Sequence, residues 1–271
     1  MLTSEGSPLP TRHDFTSGNL TLSYLDFGGE SDKLLLMLHG HMNDARTFFE
    51  IAARFTDWRV ICLDQRGHGW SDHSPERDYT RESYLEDMYN LIHTELSGQP
   101  VTILGHSLGG VNAYQFAARY PTLVNAVIVE DVGVEINADL SFTEDLPDRS
   151  ASLEELRASL ARVGVRAIDY FAESVFEDER GWGFRSDVKG MKFSQQNVNG
   201  VWWEDWLSSS CPILLIHGKK SFLLDANQAE QMVSRRLNTR LAVFEKCGHG
   251  VHIDDPDGFY LVVKSFLDEL Q

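Results

Sequence analysis

The residues best suited to chemistry are a serine in the middle of the chain and a histidine near its end. Residues 101–110 read VTILGHSLGG, which sets Ser107 in the pentapeptide Gly105-His106-Ser107-Leu108-Gly109 between an apolar run and a helical pattern. A G-x-S-x-G turn lets a strand pass sharply into a helix, exposing the serine hydroxyl above a sheet and beside the free N–H groups of the helix N-terminus. That hydroxyl is a weak nucleophile until a neighbouring base accepts its proton. Of the ten histidines, His249 in CGHGVH stands between two glycines after the last strand-like segment, RLAVFEK, and is the expected base. His252 is expected to pack against the start of the final helix. Serine before histidine in chain order suits acyl transfer on a strand-turn-helix scaffold.

The elements that must position these groups follow from hydrophobic pattern. Five short runs, LLLML (34–38), VICL (60–63), VTIL (101–104), AVIV (126–129) and ILLI (213–216), are apolar at every position, as strands of a parallel sheet covered on both faces must be. Between them Tyr84, Met88, Leu91, Ile92 and Leu96 share one helical face, and so do Phe259, Val262, Val263, Phe266, Leu267 and Leu270. Strand and helix alternate, which gives an α/β fold class with a mostly parallel central sheet flanked by helices. Residues 20–27 (LTLSYLDF) alternate more loosely and suit an antiparallel edge. The alternation stops after Asp131. Residues 134–210 are acidic, helix-prone and rich in aromatics, and they are too long for a connecting loop. The expected organisation is a core of residues 1–133 and 211–271 with a mostly helical insertion at 134–210.

Composition narrows the function classes. A formal net charge of −17 repels phosphate backbones, so a nucleic-acid partner is not expected. The first residues lack a basic start followed by an apolar run, and no stretch reaches the roughly 18 apolar residues of a bilayer span, so a cytoplasmic protein without a membrane partner is expected. Cys62, Cys211 and Cys247 have no metal-type spacing and read as free thiols.

Four motifs in order carry a family resemblance: LMLHGHMND, LDQRGHGWSD, GHSLGG and CGHGVH. Over nearly the whole chain the sequence resembles the α/β-hydrolase superfamily, in particular its serine esterase-like branch with a cap insertion. The resemblance implies that residues 134–210 form a cap over the active site. It also implies an oxyanion hole built from the backbone N–H groups of His41 and Leu108. The side chains of His39, His41 and His68 are read as loop structure, because no paired carboxylate or third histidine accompanies them as a metal site requires. No metal and no organic cofactor is expected.

The resemblance leaves one gap. Where many family members carry an aspartate after the penultimate strand, this chain has Ser221, which cannot stabilise an imidazolium as a carboxylate does. Asp225 follows at what looks like a helix start, where its ordinary role is an N-cap. Some branches of the family place the acid after the strand next to the nucleophile strand, and here that strand ends in AVIVEDVG. Successive strand residues face opposite ways, so Glu130 and Asp131 should not both meet the histidine. Asp131, nearer the end of the strand and 24 residues after Ser107, is the expected acid, with Glu130 and then Asp225 as alternatives. A serine–histidine pair working without a carboxylate is the remaining possibility.

A serine at position 107 argues against the dehalogenase and epoxide hydrolase branches, which use a carboxylate nucleophile. The expected activity is a carboxylic ester hydrolase (carboxylesterase-like) acting on small to medium apolar or aromatic small-molecule esters. Lactonase, carbon–carbon bond hydrolase and perhydrolase chemistry use the same triad, and a ligand sensor could keep the fold without turnover. Trp202, Trp203 and Trp206 are equally suited to lining a pocket and to packing the insertion onto the core.

Overall fold

Leu34–Leu38 shows how sequence becomes sheet here: all five residues are buried. Leu34, Leu36 and Leu38 enter the apolar cluster on one face, and Leu35 and Met37 enter the cluster on the other. A strand with helices on both sides needs that double apolarity. The computed structural model describes residues 9–29, 31–165 and 168–270.

The first part of the chain runs β1 (Thr11–Ser17), β2 (Leu20–Asp26), β3 (Leu34–Leu38), α1 (Phe49–Ala52), β4 (Arg59–Asp64), α2 (Arg81–Thr94), β5 (Val101–His106), α3 (Leu108–Arg119) and β6 (Val124–Glu130). The last part runs β11 (Ile213–Gly218), α7 (Ala226–Arg235), β12 (Thr239–Phe244), α8 (Val251–Asp254) and α9 (Pro256–Asp268), after a segment described below. Among the described residues one eight-stranded sheet has the order β1-β2-β4-β3-β5-β6-β11-β12. From β4 to β12 the pairings are parallel, whereas β2 is antiparallel to both β1 and β4. The edge expected at residues 20–27 therefore lies one strand further out. Ser17 pairs with Leu20 across a two-residue turn in which Gly18 has φ 59°, and β1 takes the edge.

Both amphipathic faces read from the sequence meet the sheet. Tyr84, Met88, Leu91, Ile92 and Leu96 bury against the face that also holds Val111 and Phe116 of α3. Phe259, Val263, Phe266 and Leu267 of α9 bury on the opposite face, with Val262 and Leu270 at its margin.

Between β6 and β11 the chain forms β7 (Glu135–Ile136), α4 (Leu153–Arg162), β8 (Val175–Asp178), β9 (Gly181–Phe184), α5 (Met191–Val198), β10 (Gly200–Val201) and α6 (Trp203–Ser208). Besides helices this segment holds an antiparallel hairpin of β8 and β9, which the helix-prone composition does not announce. Its own apolar cluster gathers Leu156, Leu160, Phe171, Phe184 and Met191 with Met42 of the core. The three tryptophans pack onto the core. Trp206 is fully buried, its indole N–H donates to the Met232 carbonyl at 2.9 Å, and its ring meets Tyr114 edge-on at 5.7 Å. Trp202 and Trp203 lie against the same cluster.

Cys62, Cys211 and Cys247 are free. No described helix is long and apolar enough to cross a membrane. Because Trp206 is the wedge between α6 and the core, Trp206→Ala is expected to lower stability by about 3–5 kcal/mol. Urea unfolding of the two proteins side by side checks this.

Candidate active site

Ser107 sits between β5 and α3 with φ 54° and ψ −117°, a backbone state that non-glycine residues adopt only where the surroundings impose it. Its N–H donates to the Glu130 carbonyl at 3.0 Å, tying the turn to the end of β6. The flanking glycines are required by contact: a Cβ on Gly105 would collide with the Gly109 carbonyl, and one on Gly109 with the Leu38 carbonyl. The turn thus lies tightly on β3. Leu108 opens α3, and neither its backbone N–H nor that of His41 has a hydrogen-bond partner among the described residues.

Asp131 follows directly on β6 with φ 52° and is fully buried. His249 Nδ1 donates to its Oδ2 at 2.9 Å. The other carboxylate oxygen accepts from the backbone N–H of Gly218 at 2.9 Å and from His217 Nδ1 at 3.4 Å. The Ser221 hydroxyl also donates to Oδ2. Burial pushes this carboxyl upward, but the hydrogen bonds from His217, His249 and Ser221 outweigh it and hold its pKa below the ordinary aspartate value. Ser221, in the place where a carboxylate was sought, is a donor to the carboxylate on the next strand. No signal in one sequence marks that relation.

The alternative acids are engaged elsewhere. Both oxygens of Glu130 accept from His252 Nδ1, at 2.8 and 2.9 Å, and the His252 backbone N–H donates to Glu130 at 2.9 Å. His252 Nε2 meets the Thr47 hydroxyl at 2.9 Å, so this buried histidine anchors α8 to β6. Asp225 caps α7, accepting from the Gln228 N–H at 2.8 Å. Of the three carboxylates considered from sequence, Asp131 is the one hydrogen-bonded to His249.

Four further histidines hold the loops around the site through hydrogen bonds. His106 Nε2 donates to the His249 carbonyl at 2.9 Å, and the two rings lie 4.7 Å apart, which places His249 beside the Ser107 turn. His39 Nε2 accepts from the Gln65 N–H at 3.1 Å, and its Nδ1 meets the Gly40 carbonyl at 2.8 Å. Burial lowers its pKa to about 4. His68 bonds the Arg66 carbonyl through Nδ1 at 3.0 Å. His41 Nε2 meets the Ser194 hydroxyl of α5 at 2.8 Å, fastening its loop to the insertion. Among the described residues no group of three or more potential metal ligands is present. Two aromatic rings flank His249: Tyr170 of the insertion at 6.0 Å and Phe222, which is 85% exposed, at 5.1 Å.

An eight-stranded α/β sheet with a serine on a strained strand-to-helix turn and a carboxylate-bound histidine on a late loop defines a family. Residues 35–260 match the alpha/beta hydrolase family, and the chain belongs to it. Its relatives include the 2-(acetamidomethylene)succinate hydrolase of Mesorhizobium japonicum, 27% identical over 93% of each chain. The mouse sn-1-specific diacylglycerol lipase ABHD11 is 26% identical over 96% of this chain and 86% of its own. Among solved structures, an E-2-(acetamidomethylene)succinate hydrolase superposes with a TM-score of 0.82 at 23% identity, covering 96% of this chain and 99% of that one.

The histidine next to the serine has a consequence for acid stability. Burial, with His249 and His252 adding to it and Glu130 opposing, lowers His106 from 6.5 to about 3. Between those values the unfolded chain binds a proton that the folded chain does not, so stability falls as the pH drops through that window. His106→Asn is expected to flatten the acid-side fall in melting temperature between pH 6.5 and 4 relative to the unmutated protein. Differential scanning calorimetry across that range measures the two slopes.

Proposed function

We propose that the protein is a serine hydrolase that cleaves carboxylic esters through an acyl-enzyme. The observation that carries this reading is the buried Asp131 carboxylate on His249 Nδ1 at 2.9 Å, with the histidine backbone held beside the Ser107 turn by His106. In that arrangement Asp131 fixes the tautomer that leaves Nε2 free to accept a proton. His249 takes the Ser107 hydroxyl proton as Oγ attacks the ester carbonyl carbon. The oxyanion of the tetrahedral intermediate is held by the N–H groups of His41 and Leu108, which lack other partners among the described residues. The histidine then passes its proton to the departing alkoxide, leaving the acyl group on Ser107. Water, deprotonated by the same imidazole, releases the acid and restores the serine.

Residues 134–210 are read as the cap, supported by Tyr170 standing over His106 and His249. The preferred substrates are small to medium esters with an apolar or aromatic group, and the groups that support this are Phe222 and Tyr170, not the tryptophans. A diacylglycerol lipase among the relatives supports ester cleavage, whereas the 2-(acetamidomethylene)succinate hydrolase is named for a different substrate.

Hydrolysis of a p-nitrophenyl ester series from short to long acyl chains tests the reading. Turnover is expected in the unmutated protein and not in Ser107→Ala. Asp131→Asn is expected to reduce kcat by up to about 10⁴-fold, whereas Asp225→Asn should retain kcat and lose about 1 kcal/mol of stability at most. The reverse ranking would sink the assignment of the acid, and a folded protein inert to every ester would sink the ester reading. Phe222→Ala should raise KM for aromatic esters by about tenfold with little change in stability, since an exposed ring contributes mainly to what docks on it.

A further inference from the structure

Away from the serine, a cavity of about 410 Å³ opens between the loop that follows β4 and the β8–β9 hairpin. Its volume lies in the range of small-molecule sites. None of the residues around it is hydrogen-bonded to Ser107, His249 or Asp131 among the described residues. Its chemistry is opposite to that of the chain as a whole: in a protein of net charge −17 it is lined by Arg149, Arg180, Arg185 and Lys189.

Arg185 is the unusual member. Its guanidinium lies 4.0 Å from the centre of the Trp70 ring and 4.7 Å from that of Phe176, so two aromatic faces fix its position. Arg12 and Arg46 crowd the same indole at 3.9 and 4.6 Å. Those two are paired with Asp64 and Asp44, and Arg149 and Arg180 share Asp178. Arg185 has no ion-pair partner among the described residues, and its Nε is buried with no hydrogen-bond acceptor. Burial and then the adjacent Arg46 lower its pKa, with Asp44 opposing, so the charged form is held at a disadvantage that an anion would relieve.

The next residue supplies a second, independent sign. Ser186 is 4% exposed and lines the same cavity, and its buried hydroxyl has no hydrogen-bond partner among the described residues. A buried hydroxyl without an acceptor or donor is unfavourable unless something outside the chain completes it. Lys189 spends its ammonium on two neutral carbonyls, those of Glu144 and Leu146. Against these four cationic side chains the lining sets two carboxylates: Asp187, which accepts from the Tyr79 hydroxyl at 2.7 Å and the Gly190 N–H at 3.0 Å, and the exposed Asp148. The frame is fixed from both sides, since His73 Nε2 donates to the Arg185 carbonyl and the Asp187 N–H to the Gly67 carbonyl, at 3.0 and 2.7 Å.

We propose that this cavity binds a small multivalent oxyanion, carrying carboxylate or phosphate groups, through the Arg185 guanidinium and the Ser186 hydroxyl. The site is separate from the proposed ester-cleaving centre and does not depend on that reading.

Isothermal titration calorimetry of the full chain with inorganic phosphate and, separately, with citrate distinguishes the two oxyanion sources. Saturable one-to-one binding of at least one probe is expected, retained in Ser107→Ala. Arg185→Gln should weaken it by about tenfold or more and Ser186→Ala by less, in keeping with a charge-assisted and a neutral hydrogen bond. The bound probe should also raise the melting temperature of the unmutated protein. No saturable binding of either probe, or undiminished affinity in Arg185→Gln, overturns the proposal. Should Arg185→Gln not fold, Arg185→Lys and Ser186→Ala replace it, and affinity unchanged in both overturns it equally.

Discussion

The hydrogen bond between the Asp131 carboxylate and His249 is the contact on which the arrangement of this site depends. A charge so deeply buried is tolerable only when donors replace the water it has lost. Here those donors come from three stretches of chain: Gly218 and His217 at the end of β11, Ser221 in the turn beyond, and His249 on the loop after β12. The parallel pairing of β6 with β11, which sets Ile216 opposite Glu130, brings the first of these stretches within reach. The sheet is therefore the support of the carboxylate, and the carboxylate in turn orients the histidine.

Adjacent residues of one strand end serve two different histidines. Glu130, the last residue of β6, turns to His252, and Asp131, just past the strand with φ 52°, turns to His249. The result is that both ends of the short stretch from His249 to His252 are tied to β6, while His106, next to the serine, holds the His249 carbonyl. Two neighbouring strand ends, those of β5 and β6, are thereby laced to one loop. The strained turn at Ser107 is kept in place by the same crowding, through the Glu130 carbonyl and the glycines that lie against Leu38 and Gly109.

The parts of this architecture that were legible in the sequence are those set by burial. Runs apolar on both faces marked β3 to β6 and β11, and the residues of the α2 and α9 faces met the core as their spacing required. The serine turn was legible because its glycines answer a steric need. The β8–β9 hairpin was not, since an acidic segment hid a short signal: Val175-Phe176 and Trp182-Gly183-Phe184 on either side of the Asp-Glu-Arg-Gly turn. β1 is hidden for a similar reason, its Gly-Asn turn standing among polar residues. The tryptophans are ambiguous in sequence because packing and lining call for the same residue, and burial of Trp206 beneath its own helix decides for packing. The role of Ser221 and the pairing of Glu130 with His252 depend on strand neighbourhood, which residue type alone does not encode. The grouping of Arg149, Arg180 and Arg185 was likewise hidden within a segment whose average charge is negative.

The contact between Ser221 and Asp131 bears on how such a site changes over generations. The two side chains meet across neighbouring strands and share room for one carboxylate. An acid at both positions would set like charges against each other until one took up a proton, and a serine at both would leave the imidazole without its partner. Moving the acid from one strand to the next by single substitutions therefore passes through a site with two acids or none.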